Sequence, residues 1–139
     1  MAKTIINVGF IGLGNIGKPM ASHLVCEAFS VHVYDVFTDA IKPLEQLGAF
    51  ACSSVDQLAS ACSHIGICVR DDGQVEELLF GPQGVFENAA VGTLIAIHST
   101  VIQANLLRWA RQAESFGLTL IDAPVTGGAH RAVDASLCY

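Results

Sequence analysis

The chain has 139 residues, of which 52% are hydrophobic and 14% charged, a composition that excludes a disordered protein and suits one domain with its own core. Its 13 acidic residues outnumber its 7 basic residues, and the net charge of −6 argues against nucleic acid as a partner. No window reaches the roughly 18 uncharged apolar residues that cross a membrane, and the N-terminus lacks the pattern of a signal peptide. We therefore expect a cytoplasmic protein without a membrane partner.

Short apolar runs typical of buried strands alternate along the chain with segments that have helical spacing. The predicted strands are residues 6–11, 31–34, 49–51, 65–69, 94–97 and 118–121, and the predicted helices begin near Ile16 and cover residues 40–47, 55–61, 75–80 and 101–116. Strands that alternate with helices indicate a parallel sheet with right-handed crossovers. The pattern predicts an α/β fold, a doubly wound, mainly parallel sheet with helices on both faces, formed by residues 1–139 as one domain.

Polar residues mark where several of these helices begin. Ser54, with Gln57 three residues later, has the spacing of a capping box. Asp72 is a candidate cap for the helix over 75–80, and Thr100 for the helix over 101–116.

The first predicted strand leads into a glycine-rich turn that reads G-x-G-x-x-G. The turn consists of Gly12, Leu13, Gly14, Asn15, Ile16 and Gly17, and the first helix follows it directly. In a dinucleotide-binding turn the first glycine permits the sharp bend, the second lets a diphosphate approach the backbone, and the third allows close helix packing. The amides at the start of the helix then face the anion. These six residues are therefore predicted to bind a dinucleotide in a Rossmann-type fold.

Asp35 ends the second predicted strand, where such folds carry an acid that accepts hydrogen bonds from the adenosine ribose. A carboxylate there repels a 2′-phosphate, and the residues after it include no arginine that would pair with one. We therefore predict NAD as the cofactor, with NADP less favoured. A solvated aspartate at the end of a strand remains the alternative.

With Gly12–Met20 reading G-L-G-N-I-G-K-P-M, the chain resembles the β-hydroxyacid dehydrogenase family, which includes 3-hydroxyisobutyrate dehydrogenase and tartronate semialdehyde reductase. Three further segments support the resemblance: V-R-D-D at 69–72, S-T-V at 99–101 and D-A-P-V-T-G-G at 122–128. The resemblance implies an oxidoreductase that transfers hydride between a nicotinamide and a small hydroxyacid, and it implies a homo-oligomer.

The resemblance also assigns residues to the two ligands. Val69, Arg70 and Thr100 are implied to lie at the cofactor, although Thr100 is equally well explained as a helix cap. Thr126, Gly127 and Gly128 are implied to hold the substrate carboxylate, with a surface loop as the alternative. The family usually has proline at the position of Arg70 and glycine at the position of Ala135. His98 lies beside the Ser-Thr turn, where a packed core histidine is favoured over a proton donor.

The family's catalytic lysine belongs to a helix that follows this segment, and no lysine of this chain matches it. We therefore expect no catalytic residue in this chain, which corresponds to the cofactor-binding domain without the family's all-helical C-terminal domain. On this expectation the polypeptide binds the dinucleotide but does not turn over hydroxyacids. The alternatives are a stand-alone dinucleotide-binding or regulatory module and a fragment of an imine-reductase-like enzyme.

The five cysteines are an odd number and include no CxxC pair, which indicates reduced thiols in a reducing compartment. Cys62, His64 and Cys68 could be read as metal ligands, but no second ligand pair accompanies them. We predict no metal site.

Overall fold

The computed structural model describes residues 4–139, which form a six-stranded, entirely parallel sheet. Its strands are β1 (Ile6–Ile11), β2 (Phe29–Tyr34), β3 (Phe50–Ala51), β4 (His64–Ile67), β5 (Leu94–Ile97) and β6 (Thr119–Asp122). They lie in the order β3-β2-β1-β4-β5-β6. The chain therefore reverses its direction of growth between β1 and β4, and a doubly wound sheet opens its ligand crevice at that point. The predicted fold class is confirmed.

Helices cover both faces of the sheet. They are α1 (Gly17–Leu24), α2 (Thr38–Gln46), α3 (Val55–Ala61), α4 (Asp72–Phe80), α5 (Val85–Asn88), α6 (Gln103–Ser115) and α7 (Gly128–Val133). The sequence pattern did not predict the short helices α5 and α7, and it began β2 two residues too late.

Two separate apolar clusters hold the layers together. On one face, α1 and α2 pack Met20, Ile41 and Leu44 against β1 and β2. On the other, α3 to α6 bury Leu58, Trp109 and their neighbours against β4 and β5. Burial on both faces explains why the central strands are continuous apolar runs rather than alternating ones.

The helix caps differ from those predicted. At α3, Gln57 Oε1 accepts hydrogen bonds from the amide and the hydroxyl of Ser53 at 2.7 and 3.0 Å, whereas the Ser54 side chain makes no capping bond. At α4, the cap is Asp71, which accepts from Gln74 N at 2.9 Å. The spacing in the sequence located each helix start but not the neighbouring donor that each side chain reaches.

Asp72 instead stabilises the start of a different helix. Its Oδ2 accepts hydrogen bonds from Ile102 N at 3.1 Å and from Asn105 Nδ2 at 2.6 Å, and it thereby joins α4 to α6. Thr100 was the predicted cap of α6, but the helix begins at Gln103 and Thr100 is exposed. The prediction failed because the acceptor comes from another helix, which a local pattern cannot reveal.

Candidate dinucleotide site

A cavity of about 440 Å³ opens at the carboxyl edge of the sheet, where β1, β2 and β4 end. This volume is within the range of small-molecule sites in proteins. Its walls come from the glycine-rich turn, the end of β2, the loop after β4 and one side of α4. They are Ile11, Gly12, Gly14, Asn15, Ile16, Gly17, Tyr34, Asp35, Val36, Phe37, Cys68, Val69, Arg70, Gln74, Glu77 and Leu78.

Two glycines of the turn are required by the fold itself. Gly12 has a φ of +93°, and a Cβ added there would collide with the carbonyl oxygen of Cys68. A Cβ added to Gly17 would collide with the carbonyl oxygen of Gly12. These positions therefore set the bend and the close approach of α1, as the sequence predicted for the first and third glycines.

Gly14 is different, because the protein does not occupy the space beside it. A Cβ added there meets no atom within 4 Å, and its φ lies outside the left-handed region. In the part of the chain that the structure describes, the amides of Gly14, Asn15 and Ile16 find no protein acceptor. A niche lined by bare amides, at the start of a helix, is suited to a diphosphate.

Asp35 binds the backbone of two loops at once. Its Oδ2 accepts a hydrogen bond from Leu13 N at 2.7 Å, and its Oδ1 accepts one from Phe37 N at 2.8 Å. A carboxylate offers about four acceptor positions, so capacity remains for ribose hydroxyls. Leu13 contributes only this amide, since its side chain is buried in the core.

Hydrogen bonds also hold the loop after β4 in place. Val69 N donates to Ser99 Oγ at 2.9 Å, and Arg70 N donates to Gln74 Oε1 at the same distance. A proline at the position of Arg70 could not make the second bond. Ser99 was not predicted as a residue that supports this site. The signal in the sequence was a serine two residues after β5, at the edge of the sheet where the cavity opens.

His98 is a packed residue. It lies beside Phe10, with ring centroids 5.8 Å apart and nearly parallel planes, and its Nδ1–H donates to the Ala123 carbonyl at 2.9 Å. Burial lowers the pKa of His98 below its usual value of 6.5, and the Ala123 hydrogen bond offsets only part of this effect. The ring is therefore neutral at neutral pH, consistent with the favoured interpretation from the sequence.

The predicted substrate residues lie on a separate segment. Thr126 is exposed, and its backbone pairs with Cys138 in an antiparallel bridge. Gly127 and Gly128 follow with φ values of +131° and +73°, and α7 begins there. Neither these three residues nor Thr100 line the 440 Å³ cavity.

A comparison with family models decides the classification. Residues 7–139 match the model described as the NAD binding domain of 6-phosphogluconate dehydrogenase. The chain belongs to this family.

Three curated relatives of this NAD-binding domain are oxidoreductases. The chain is 38% identical over 130 residues to an uncharacterized oxidoreductase of Mycobacterium tuberculosis, covering 94% of this chain and 44% of that protein. It is 37% identical over 123 residues to 2-(hydroxymethyl)glutarate dehydrogenase of Eubacterium barkeri, with coverages of 88% and 41%. It is 33% identical over 132 residues to mitochondrial 3-hydroxyisobutyrate dehydrogenase of Homo sapiens, with coverages of 95% and 39%. The chain thus spans about two fifths of the length of these relatives.

Solved structures show the same fold. A Mycobacterium tuberculosis 3-hydroxyisobutyrate dehydrogenase with L-serine matches with a TM-score of 0.89 at 26% identity, covering 96% of this chain and 45% of that one. A complex of Psf3 with NADP+ and 2-OPP matches with a TM-score of 0.88 at 25% identity, with coverages of 94% and 46%. The resemblance to 3-hydroxyisobutyrate dehydrogenases that the motifs indicated is confirmed.

Two further properties concern residues 4–139 of this NAD-binding domain. Among these residues, no group of three or more His, Cys, Asp or Glu is arranged to hold a metal ion, and Cys62, His64 and Cys68 are not brought together as such a group. Burial raises the pKa of the Cys62 thiol to about 12, so the thiol stays protonated. No helix in that range has the length and apolarity to span a membrane.

Proposed function

We propose that this chain binds NAD in the cavity beside the glycine-rich turn and serves as the cofactor-binding part of a dehydrogenase for small hydroxyacids. One observation carries the proposal above all others. The backbone at Gly14 borders open space, and it presents amides that no described protein group satisfies. A diphosphate matches this niche in both charge and shape.

Each wall of the cavity has a part in holding the dinucleotide. The amides of Gly14, Asn15 and Ile16 bind the diphosphate, while Asp35 accepts the ribose hydroxyls. Val69 and Arg70, fixed by Ser99 and Gln74, border the cavity on the side of β4. Thr100, exposed just beyond β5, is assigned to the nicotinamide ribose or carboxamide. When bound, the nicotinamide ring supplies a hydride acceptor.

The preference for NAD over NADP rests on the position of Asp35. Because Oδ1 and Oδ2 both hold main-chain amides, the carboxylate is fixed at the cavity wall and cannot swing away from an added 2′-phosphate. Arg70 is the one cationic side chain among the residues lining the cavity, and it lies at the end of a different strand. The NADP+ complex of the structural relative shows that the fold itself permits either cofactor.

The substrate is assigned to the segment Thr126–Gly128. Its hydroxyl and its glycine amides suit a carboxylate, which binds well to N–H and O–H donors. Two relatives are named for hydroxyacids, and both proteins are more than twice as long as this chain.

No general acid or base for the hydroxyl group is assigned in this chain. Such a group must lie within hydrogen-bond reach of the reacting oxygen. Of the two lysines in the described range, Lys42 pairs with Asp39 on an exposed face of α2, and Lys18 lies on α1 beside the glycine-rich turn. We therefore expect the 139-residue polypeptide to bind the dinucleotide without turning over 3-hydroxyisobutyrate or L-serine.

Calorimetric titration with NADH tests the proposal directly. Gly14→Val should abolish measurable binding, since the valine fills the niche while the backbone conformation stays allowed. Gly73→Val is the matched control, because a Cβ at Gly73 also meets only ordinary contacts, 3.4 Å from Asp71, and Gly73 lies outside the cavity lining. Equal NADH affinity in wild type and Gly14→Val would refute the proposed site.

A further inference from the structure

A second cavity, of about 530 Å³, lies between α1 and α7. We call it the α1–α7 groove. It is lined by Gly14, Lys18, Ser22 and His23 on one side and by Ala129 and Val133 on the other. The groove starts at the glycine-rich turn and reaches Ala129, the neighbour of Gly128 in the proposed substrate segment. It shares Gly14 and Asn15 with the dinucleotide cavity and extends from there toward the proposed substrate segment.

The charge lining this groove is unusual for the protein. The chain carries 13 acidic residues, yet none of them lines the α1–α7 groove. Lys18 lines it and forms no ion pair within residues 4–139, whereas Lys42 and Arg108 are paired with Asp39 and Glu76. An unpaired ammonium in a groove without carboxylates is available to a negatively charged ligand.

The walls of the groove are held in a defined position. His23 Nε2–H, at the end of α1, donates to the carbonyl oxygens of Ala132 and Val133 at 3.0 and 2.9 Å, which ties the end of α7 to α1. Ser22 Oγ donates to the Lys18 carbonyl at 2.8 Å, which fixes the Ser22 side chain against the turn of α1 that carries Lys18. Lys18 thus extends from a fixed helix into a groove of fixed width.

We propose that Lys18 binds a second carboxylate of the substrate, so that this protein favours dicarboxylic over monocarboxylic hydroxyacids. The inference rests on the proposed function, because it takes Thr126–Gly128 as the site of the first carboxylate. The two curated hydroxyacid relatives differ in this respect: the name of one refers to a dicarboxylate and that of the other to a monocarboxylate.

Ligand titrations monitored by NMR test the inference on the 139-residue chain, with and without saturating NAD+. The probes are 2-(hydroxymethyl)glutarate and 3-hydroxyisobutyrate. Wild type should bind the dicarboxylate about fivefold more tightly than the monocarboxylate, which is the largest gain in affinity expected from one partly exposed ion pair. Lys18→Met keeps the aliphatic stem and should remove the preference, while Lys42→Met should leave it unchanged. Equal affinity for the two acids in wild type, or a preference that survives in Lys18→Met, would overturn the inference.

Acetylation of lysines, read by mass spectrometry, provides a readout that does not depend on activity. The dicarboxylate should slow acetylation of Lys18 but not of Lys42, and NAD+ alone should leave Lys18 reactive. Protection of Lys18 by NAD+ alone would assign it to the dinucleotide and contradict the inference. Failure of NADH to bind would refute the proposed function. The role of Lys18 is decided separately, by whether cofactor-free protein prefers the dicarboxylic to the monocarboxylic hydroxyacid.

Discussion

Replacing Asp35 by asparagine separates the role that the structure shows for this side chain, bracing two loops, from its proposed role at the ribose. In wild type the carboxylate accepts from Leu13 N and Phe37 N, and its remaining lone pairs are assigned to the ribose. Asparagine keeps one oxygen acceptor but turns an NH₂ group toward one of the two amides. The variant therefore loses the negative charge that strengthens the hydrogen bonds from the ribose hydroxyls. It also places the new NH₂ group against the main-chain N–H of Leu13 or Phe37, so that two donors face each other.

The expected magnitude follows from the lost hydrogen bonds. A hydrogen bond to a charged group contributes about 1.5–3 kcal/mol, so losing the acceptor at the replaced oxygen should lower NADH affinity by about tenfold to a hundredfold. NADPH should respond in the opposite direction. Unit charges 4 Å apart near a protein surface repel by about 4 kcal/mol, and removing the carboxylate relieves this repulsion. We expect NADPH binding to tighten by about tenfold, because the relieved repulsion exceeds the loss at the ribose.

Calorimetry with NADH and NADPH measures both changes. The matched control is Asp39→Asn, which removes an exposed carboxylate outside the cavity lining and should leave both affinities within about twofold. If Asp35→Asn weakened NADH and NADPH equally, Asp35 would act only by bracing the glycine-rich turn. If neither affinity changed, the reasoning about this residue would be refuted.

Three further predictions concern stability, measured by denaturant unfolding. Gly12→Ala and Gly17→Ala should each lower the free energy of unfolding by about 2 kcal/mol or more, because the new methyl collides with backbone; a loss below 0.5 kcal/mol would contradict the geometry of the turn. Ala135 has a φ of +53°, so Ala135→Gly should raise the free energy of unfolding by about 1 kcal/mol, and a decrease would show that the backbone is unstrained. Because its pKa is lowered in the fold, His98 supports full stability above about pH 6.5 and progressively less as the pH falls below that value. His98→Gln should weaken this acid dependence, whereas identical pH profiles would exclude His98 as a contributor.

The glycine-rich turn was predictable because its chemistry is local. Gly12 and Gly17 shape the backbone of one short segment, at the positions that the pattern indicated, and the space beside Gly14 is open, as the proposed diphosphate site requires. The position of Asp35 at the cavity could also be predicted, since the residue directly follows β2 in the parallel sheet.

Residues whose partners come from distant segments were not predictable in this way. Asp72 hydrogen-bonds α6, which lies some thirty residues further along the chain, and Ser99 holds Val69 across two strand ends. Neither contact leaves a periodic or spaced pattern in the sequence. For the same reason Thr100 was wrongly predicted to cap α6, whose first turn is bound by the Asp72 carboxylate of α4. The α1–α7 groove was not predicted either, because its two walls come from opposite ends of the chain.

A crystal structure of this chain soaked with NAD+ is the most direct test of the central claim. The account predicts that diphosphate oxygens lie within hydrogen-bond distance of the amides of Gly14, Asn15 and Ile16, with the adenosine ribose against Asp35. A dinucleotide bound elsewhere, or the niche beside Gly14 filled by a protein side chain in the presence of saturating NAD+, would contradict it.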